Sequence, residues 1–435
     1  MRDIRDAGGF LAAVGDQIRW KRARKPLLRE LEGHIDDRRE ALIAGGTDYA
    51  AAEAQAVKEM GDPEEIGLAL DRVHRPRPNW LLLGCTAALL LMGVLLMCSV
   101  GDRDTYLAPL LLYAGLGTAA LMGGYFLDYT VIARIPPAVL FVLCGVCMVM
   151  PMLGNLWLST TAQLCYILPV LFIPLVYRAR SGEKKDIVLM ICGAAACFIA
   201  AVFSHSWMSL RIYILVVCGG MIIYAVCKGW LGRYKRAVLL WVTIPPAAVF
   251  AWLCVISAQS LAARFMYGVL DPESDPMGFG WVPLRVRELI STSRLFGEGE
   301  TSELLSSFIA PNDMCSVEVM LSVAAHKHGL VIFLLVAALA AVMGVVMIRG
   351  IRRQSCRLSA LTILTVGLCF GVRTVAYFIS NLGANLFYFE GLPLFSYCGK
   401  LMVLDMLVMG MLLSVFRTES VARDSDITLH RPAAE

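Results

Sequence analysis

From Trp80 onward the chain is built of apolar runs about twenty residues long, separated by short polar loops. A helix needs about twenty apolar residues to cross a hydrocarbon layer ~30 Å thick. The pattern therefore predicts ten spans, at approximately 80–100, 106–127, 135–152, 161–177, 187–204, 209–227, 237–258, 319–348, 360–380 and 394–416. Residues 1–73 are patterned differently. Leu28, Leu31, Ile35 and Leu42 recur at helical spacing among charged residues, as on a helix that buries one face. Thr47 is expected to cap a third helix and Gly61 to end it. Asp62-Pro63-Glu64-Glu65 then supplies an N-cap, a proline at the first helical position and a capping-box glutamate. The expected architecture is all-α. A small cytosolic helical domain (1–73) leads through the stiff linker 74–79, with Arg75-Pro76-Arg77-Pro78, into a polytopic membrane domain (80–417) and a cytosolic tail (418–435).

Composition sharpens this picture. Of 435 residues 58% are hydrophobic and 17% charged, and the mean hydropathy is +0.67, which excludes a soluble enzyme. A net charge of +4 is too small to imply nucleic-acid binding. Its distribution says more. The loops at 178–185, 228–236 and 349–357 are basic, whereas those around Asn155, His205 and Asn381 carry almost no Lys or Arg. Cytoplasmic loops hold the excess of positive charge, so both termini are expected in the cytoplasm and the longest loop, 259–318, outside. Loops of that length are usually functional. Most of the 14 cysteines lie inside apolar runs and read as small apolar residues, with no disulfide framework. The apolar stretch at the N-terminus is too short for a secretory signal.

Ionisable groups at membrane depth are costly and are functional candidates by default. They are Glu318, His326, Lys327, His328, Arg373, Lys400 and Asp405. Arg373 and Asp405 can neutralise one another as a structural intramembrane pair. His326 and His328, two apart on a helix, point different ways, unlike the four-residue spacing that puts two imidazoles on one metal. No metal site is predicted.

Several motifs in the second half follow one another in a telling order. They are Gly280-Trp281, then Ser293-Arg294-Leu295-Phe296-Gly297-Glu298-Gly299, then Val317-Glu318-Val319 through Gly329, then Asn381-Leu382-Gly383, then Leu392-Pro393-Leu394-Phe395-Ser396-Tyr397-Cys398-Gly399-Lys400. This series resembles the SEDS family of FtsW, RodA and SpoVE, whose pattern runs G-Y-Q, S-G-G-x-x-G-x-G, T-D-F-I-F-x-x-x-x-E-E-x-G, N-x-G and L-P-x-I-S-Y-G-G-S-S. Ten spans and a long outward loop between the seventh and eighth also suit that family. Asn155-Leu156-Trp157 followed by Gln163 faintly resembles its R-W-I and Q-P-S-E element. Residues 27–78 resemble the cytosolic prefix domain found before various bacterial membrane proteins, which implies docking or regulation.

The resemblance implies a peptidoglycan glycosyltransferase of the bacterial plasma membrane. It would polymerise lipid II, the undecaprenyl-pyrophosphate-linked disaccharide, in elongation, division or sporulation, with a class B penicillin-binding protein as partner. Glu318 falls where the family has its essential aspartate and is the expected general base. Arg285, Arg287, Arg294, Gly297, Gly299, Trp157, Ser396 and Lys400 are the expected substrate-binding residues. No cofactor is singled out, and a divalent cation at the pyrophosphate is the one candidate. The sequence departs from the family in placing Glu for Asp, His326-Lys327 for an acidic pair and Lys400 for a serine. A non-catalytic scaffold that recruits the penicillin-binding protein is the alternative, and a transporter or lipid flippase is a third reading.

Overall fold

The computed structural model describes residues 6–76, 78–100, 103–154, 158–204, 208–240, 248, 251, 255, 258–300, 318–384, 391–396 and 399–418. Among these there is no β-strand. The chain divides into two compact units, one built on Met1–Pro78 and the other on Asn79–Val415.

The first unit holds α1 (Ala7–Gln17), α2 (Lys21–Ala44), α3 (Tyr49–Met60) and α4 (Pro63–His74). Local capping explains where these helices begin. Asp6, Asp48 and Asp62 each sit in extended backbone and accept an N–H from the first turn of α1, α3 and α4. Asp48 rather than Thr47 caps α3, because Asp48 directly precedes the first helical residue. Gly61 ends that helix at φ +96°, a conformation that glycine adopts without strain. Phe10, Val14, Ile18, Leu27, Ile35 and Val57 close a core of their own. Gly67 lets α4 approach α1, since a Cβ there would meet Val14 O at 2.8 Å.

The second unit is a multi-pass membrane bundle. It contains α5 (Trp80–Val100), α6 (Arg103–Phe126), α7 (Val131–Arg134), α8 (Pro137–Val149), α9 (Leu158–Cys165), α10 (Leu168–Arg178), α11 (Lys184–Phe203) and α12 (Met208–Cys227). After these come α13 (Ala258–Phe265), α14 (Trp281–Thr292), α15 (Met320–His328), α16 (Leu330–Arg353), α17 (Arg357–Ser380) and α18 (Lys400–Arg417). Among the described residues seven stretches are long and apolar enough to cross a membrane: 80–100, 107–126, 160–181, 184–203, 209–227, 330–353 and 357–380. The expected third span is a shorter apolar helix, Pro137–Leu153. The expected seventh, 237–258, lies largely outside the described residues.

Two expected spans start later than the hydrophobic pattern suggests. The eighth breaks at Gly329, whose φ of +107° interrupts the helix between α15 and α16. A side chain is also excluded there, because a Cβ would lie 2.6 Å from Leu295 O. The tenth begins at Lys400 rather than 394, because Leu392–Ser396 is a turn with Leu394 at φ +68°. Gly93 on α5 admits this turn; a Cβ at that position would overlap the Phe395 carbonyl.

The stretch 160–181 and α17 are the most buried spans, at 72% and 61%, and form the centre of the bundle. By contrast α16, at 17%, is peripheral. Small residues bring helices together where lipid offers no hydrophobic driving force. Gly124 of α6 faces Leu407 O of α18, and Gly410 of α18 faces Leu121 O of α6, so either glycine's Cβ would collide with the opposite backbone. Cys144, Cys147, Cys165, Cys197 and Cys218 are all buried free thiols on α8, α9, α11 and α12. Cys144-Gly145-Val146-Cys147 has C-x-x-C spacing, and both sulfurs belong to this packed interior.

Candidate active site

Glu318 lies half-buried two residues before α15, at the end of the bundle that carries the loop containing α14. Asn381, wholly buried just past the C-terminus of α17, organises its surroundings. The Asn381 amide donates to Glu318 O and to Tyr377 O, each at 2.9 Å. Its own Oδ1 accepts the Ser322 N–H at 3.0 Å and the Ser322 hydroxyl at 2.8 Å. One side chain thus serves both Glu318, two residues before α15, and the Ser322 N–H in its first turn, which also reaches Val319 O at 3.0 Å. Tyr377, one turn earlier on α17, accepts the Leu321 N–H at 3.3 Å. Its hydroxyl also meets the Ser396 hydroxyl and lies within electrostatic range of Glu318. Ser396 in turn accepts the Leu392 N–H at 2.9 Å. Glu318, Ser322, Tyr377, Asn381 and Ser396 form one polar cluster where α15, α17 and the Leu392–Ser396 turn converge.

The loop after α14 braces the far end of α15. The Gly299 N–H donates to His326 O at 2.8 Å and the Gly297 N–H to His328 O at 3.3 Å. These are C-terminal carbonyls that a helix cannot satisfy internally. The two glycines therefore hold α15 instead of presenting their N–H groups to an anion. Gly297 sits at φ +80°, and a Cβ on Gly299 would lie 2.6 Å from the His326 ring. The His326 imidazole is buried against Leu289 O and the Thr292 hydroxyl, at 3.3 and 3.4 Å. His328 meets the Ser99 hydroxyl at 2.8 Å, and the Lys327 ammonium donates to Ser99 O, so α15 is also tied to α5. Burial and the neighbouring Lys327 push the His328 imidazole below its ordinary value, against the pull of Glu298.

The three candidate arginines of the loop are already engaged. Arg285 pairs with Glu288 and stacks on Trp281, with its guanidinium carbon 4.9 Å from the ring centre. Arg287 donates to Gly383 O at 3.0 Å and Val269 O at 2.7 Å, fastening the loop to the segment after Asn381. Arg294 pairs with Glu300 at 3.3 Å, and both are largely exposed. Lys400, at the start of α18, is exposed and donates to the Thr160 hydroxyl at 2.8 Å. Trp157 lies outside the described residues.

Arg373 and Asp405 meet deep in the bundle, with Nη1 2.6 Å from Oδ1 and both side chains at most 10% exposed. The guanidinium also lies over the Tyr166 ring, 5.0 Å from its centre. Next to the polar cluster, an apolar cavity of 340 Å³ runs between α16 and α17. Ala337, Ala340, Ala341 and Gly344 form one wall, Gly367 and Gly371 another, and Leu392–Leu394 close one end. Among the described residues no three His, Cys, Asp or Glu side chains are grouped to hold a metal ion.

Asn381, Tyr377 and Ser322 were not singled out from the sequence as site residues. The available signal was an asparagine, within Asn381-Leu382-Gly383, at the end of a span that otherwise ends without polar caps.

No family model matches the sequence, and no curated protein matches it. Solved structures do share its fold. A chain from a peptidoglycan synthase complex, described for the coordination of polymerisation and crosslinking, superposes with a TM-score of 0.58 at 16% identity, over 78% of this chain and 98% of that one. The rod shape determining protein RodA of Thermus thermophilus superposes with a TM-score of 0.52 at 13% identity, over 79% and 97%. A substituted form of the same protein gives 0.53 at 13% identity. The chain has the polytopic fold of RodA, the fold its second-half motifs resemble.

Proposed function

We propose that this protein is a peptidoglycan glycosyltransferase that polymerises lipid II at the outer face of the bacterial plasma membrane. The observation that carries the reading is the contiguity of two features: a half-buried glutamate whose backbone is tied into a buried polar cluster and whose carboxylate lies within electrostatic range of Tyr377, and an apolar cavity ending at that cluster's own Leu392–Ser396 turn. A lipid-linked sugar needs both, one for the reacting hydroxyl and one for hydrocarbon. Glu318 accepts the proton of the acceptor hydroxyl as that oxygen bonds to the anomeric carbon of the donor; the bond from that carbon to the pyrophosphate oxygen breaks, and the pyrophosphate leaves with the electron pair. Lys400 and Arg294, both exposed, offset its charge.

In this reading the termini are cytoplasmic and a class B penicillin-binding protein is the partner. The RodA-like fold supports that assignment, and the basic loops at 178–185 and 349–357 support the orientation. The test is to incubate the purified chain and a class B penicillin-binding protein with labelled lipid II and resolve the products. Glycan chains establish the reaction; unreacted lipid II rejects it.

One observation favours the scaffold reading. Arg285 and Arg287 are spent on Glu288 and on backbone carbonyls, and the glycine N–H groups on α15, which leaves few donors for a pyrophosphate. A scaffold would restore growth to a deletion strain even when Glu318 is replaced by Gln.

A further inference from the structure

The first unit carries a segregated charge pattern that its own folding explains only in part, through Arg24 paired with Asp16 at 2.6 Å and Arg19 near Asp71 at 3.8 Å. Residues 1–78 are nearly neutral, with fourteen basic and fifteen acidic residues. Six of the basic ones, Arg19, Lys21, Arg22, Arg24, Lys25 and Arg29, fall in eleven positions without one acidic residue. Lys21, Lys25 and Arg29 are spaced four apart on α2, so they form one stripe. All three are exposed, and among the described residues none makes an ion pair. Cations at a helix N-terminus oppose the helix dipole. The first turn of α2 has neither an acidic residue nor a side-chain cap to offset them. The cluster is therefore not there for the helix.

Its place in the chain identifies what it meets. Trp20 packs against the first unit's own core and fixes the corner between α1 and α2. The Arg19 N–H donates to Asp71 at 2.9 Å, tying this corner to the last turn of α4. Only residues 75–79 then separate α4 from α5, a reach of at most about 18 Å of extended chain. That linker adds Arg75 and Arg77. We infer that the Arg19–Arg29 corner is a docking surface for the anionic phospholipid headgroups of the membrane into which this chain itself inserts. A nucleic acid would satisfy the same charges, but the short tether to a membrane span favours the lipid surface. Clusters of four to eight basic residues beside a span bind such surfaces, each contributing roughly a five-fold gain in affinity.

The test uses the full-length protein in nanodiscs of phosphatidylcholine alone or mixed with phosphatidylglycerol. Lysine acetylation, read by mass spectrometry, should be slowed at Lys21 and Lys25 in the anionic discs, while Lys58 reacts alike in both. The slowing should disappear in about 0.5 M salt, where charges are screened beyond ~4 Å. The K21Q/K25Q/R29Q variant of segment 1–78, which has its own core and caps, should bind phosphatidylglycerol vesicles on the order of a hundred-fold more weakly than the unaltered segment. Circular dichroism should be unchanged. Equal acetylation in both discs, equal vesicle binding by the variant, or tighter binding to RNA than to the vesicles at equal salt would each overturn the inference.

Discussion

The side-chain amide of Asn381 donates to the backbone carbonyl of Glu318 at 2.9 Å, while its oxygen takes the N–H of Ser322, so the end of α17 sets where the carboxylate-bearing residue enters α15. Replacing Asn381 by Ala removes the donor to Glu318 O, at a cost of about 1–3 kcal/mol, while the Ser322 N–H keeps Val319 O and the Ser322 hydroxyl keeps the residue-381 carbonyl. Asn381→Asp is more discriminating. It keeps the acceptor for Ser322 and removes the donor to Glu318. Its second carboxylate oxygen faces the Glu318 and Tyr377 carbonyls in a buried site, so thermal unfolding in detergent should show a larger loss for Asp than for Ala, and polymerisation should fall on the order of a hundredfold in both if a shift of about 1 Å at the base is decisive. An Asp variant of full activity would show that this contact does not position Glu318.

The Arg373–Asp405 pair is expected to matter for stability. Removing either partner leaves a buried charge uncompensated, which costs about 3–5 kcal/mol, whereas replacing both by apolar residues of similar volume is often neutral. Arg373→Met and Asp405→Leu should each lower the unfolding midpoint sharply, and the double variant should recover most of the loss. Additive losses would mean that each side chain has a separate role.

His328 should make the docking of α15 onto α5 sensitive to acid. Its folded-state value is depressed, so the unfolded chain, with an ordinary imidazole near about 6.5, binds the proton more readily. Stability is full above that value and falls as pH drops from it toward the folded one. The charges facing the ring are Lys327, which deepens the shift, and Glu298, which opposes it. His328→Asn can still pair with the Ser99 hydroxyl and does not titrate. Unfolding midpoints measured from about pH 5 to 8 should therefore diverge on the acid side, with the wild type losing more. Parallel curves would exclude the role.

Much of this molecule was legible in its sequence, and the misses share a cause. Runs of twenty apolar residues report spans because the hydrocarbon layer dictates their length. Caps at Asp62 and Gly61 were legible because they act within one turn. The break at Gly329 was not, since it depends on Leu295 O approaching from a loop more than thirty residues away. The turn at Leu394 was hidden in the same way, as its strained φ is held by packing against Gly93. Glu318 was singled out through its place in a motif. Asn381, in another motif of the same series, could not be assigned its task without knowing that α15 and α17 meet. The loop arginines looked available because their partners Glu300, Gly383 O and Val269 O are set by tertiary contact.

Glu318 carries the central claim, and the most direct measurement compares wild type, Glu318→Gln and Glu318→Asp in the lipid II polymerisation assay, with equal unfolding midpoints as the control for folding. A general base contributes roughly a hundred- to ten-thousandfold, so glycan chains should form with wild type and vanish with Gln, while Asp, a methylene shorter, retains a fraction of the activity. Polymerisation by Glu318→Gln at the wild-type rate would contradict the account.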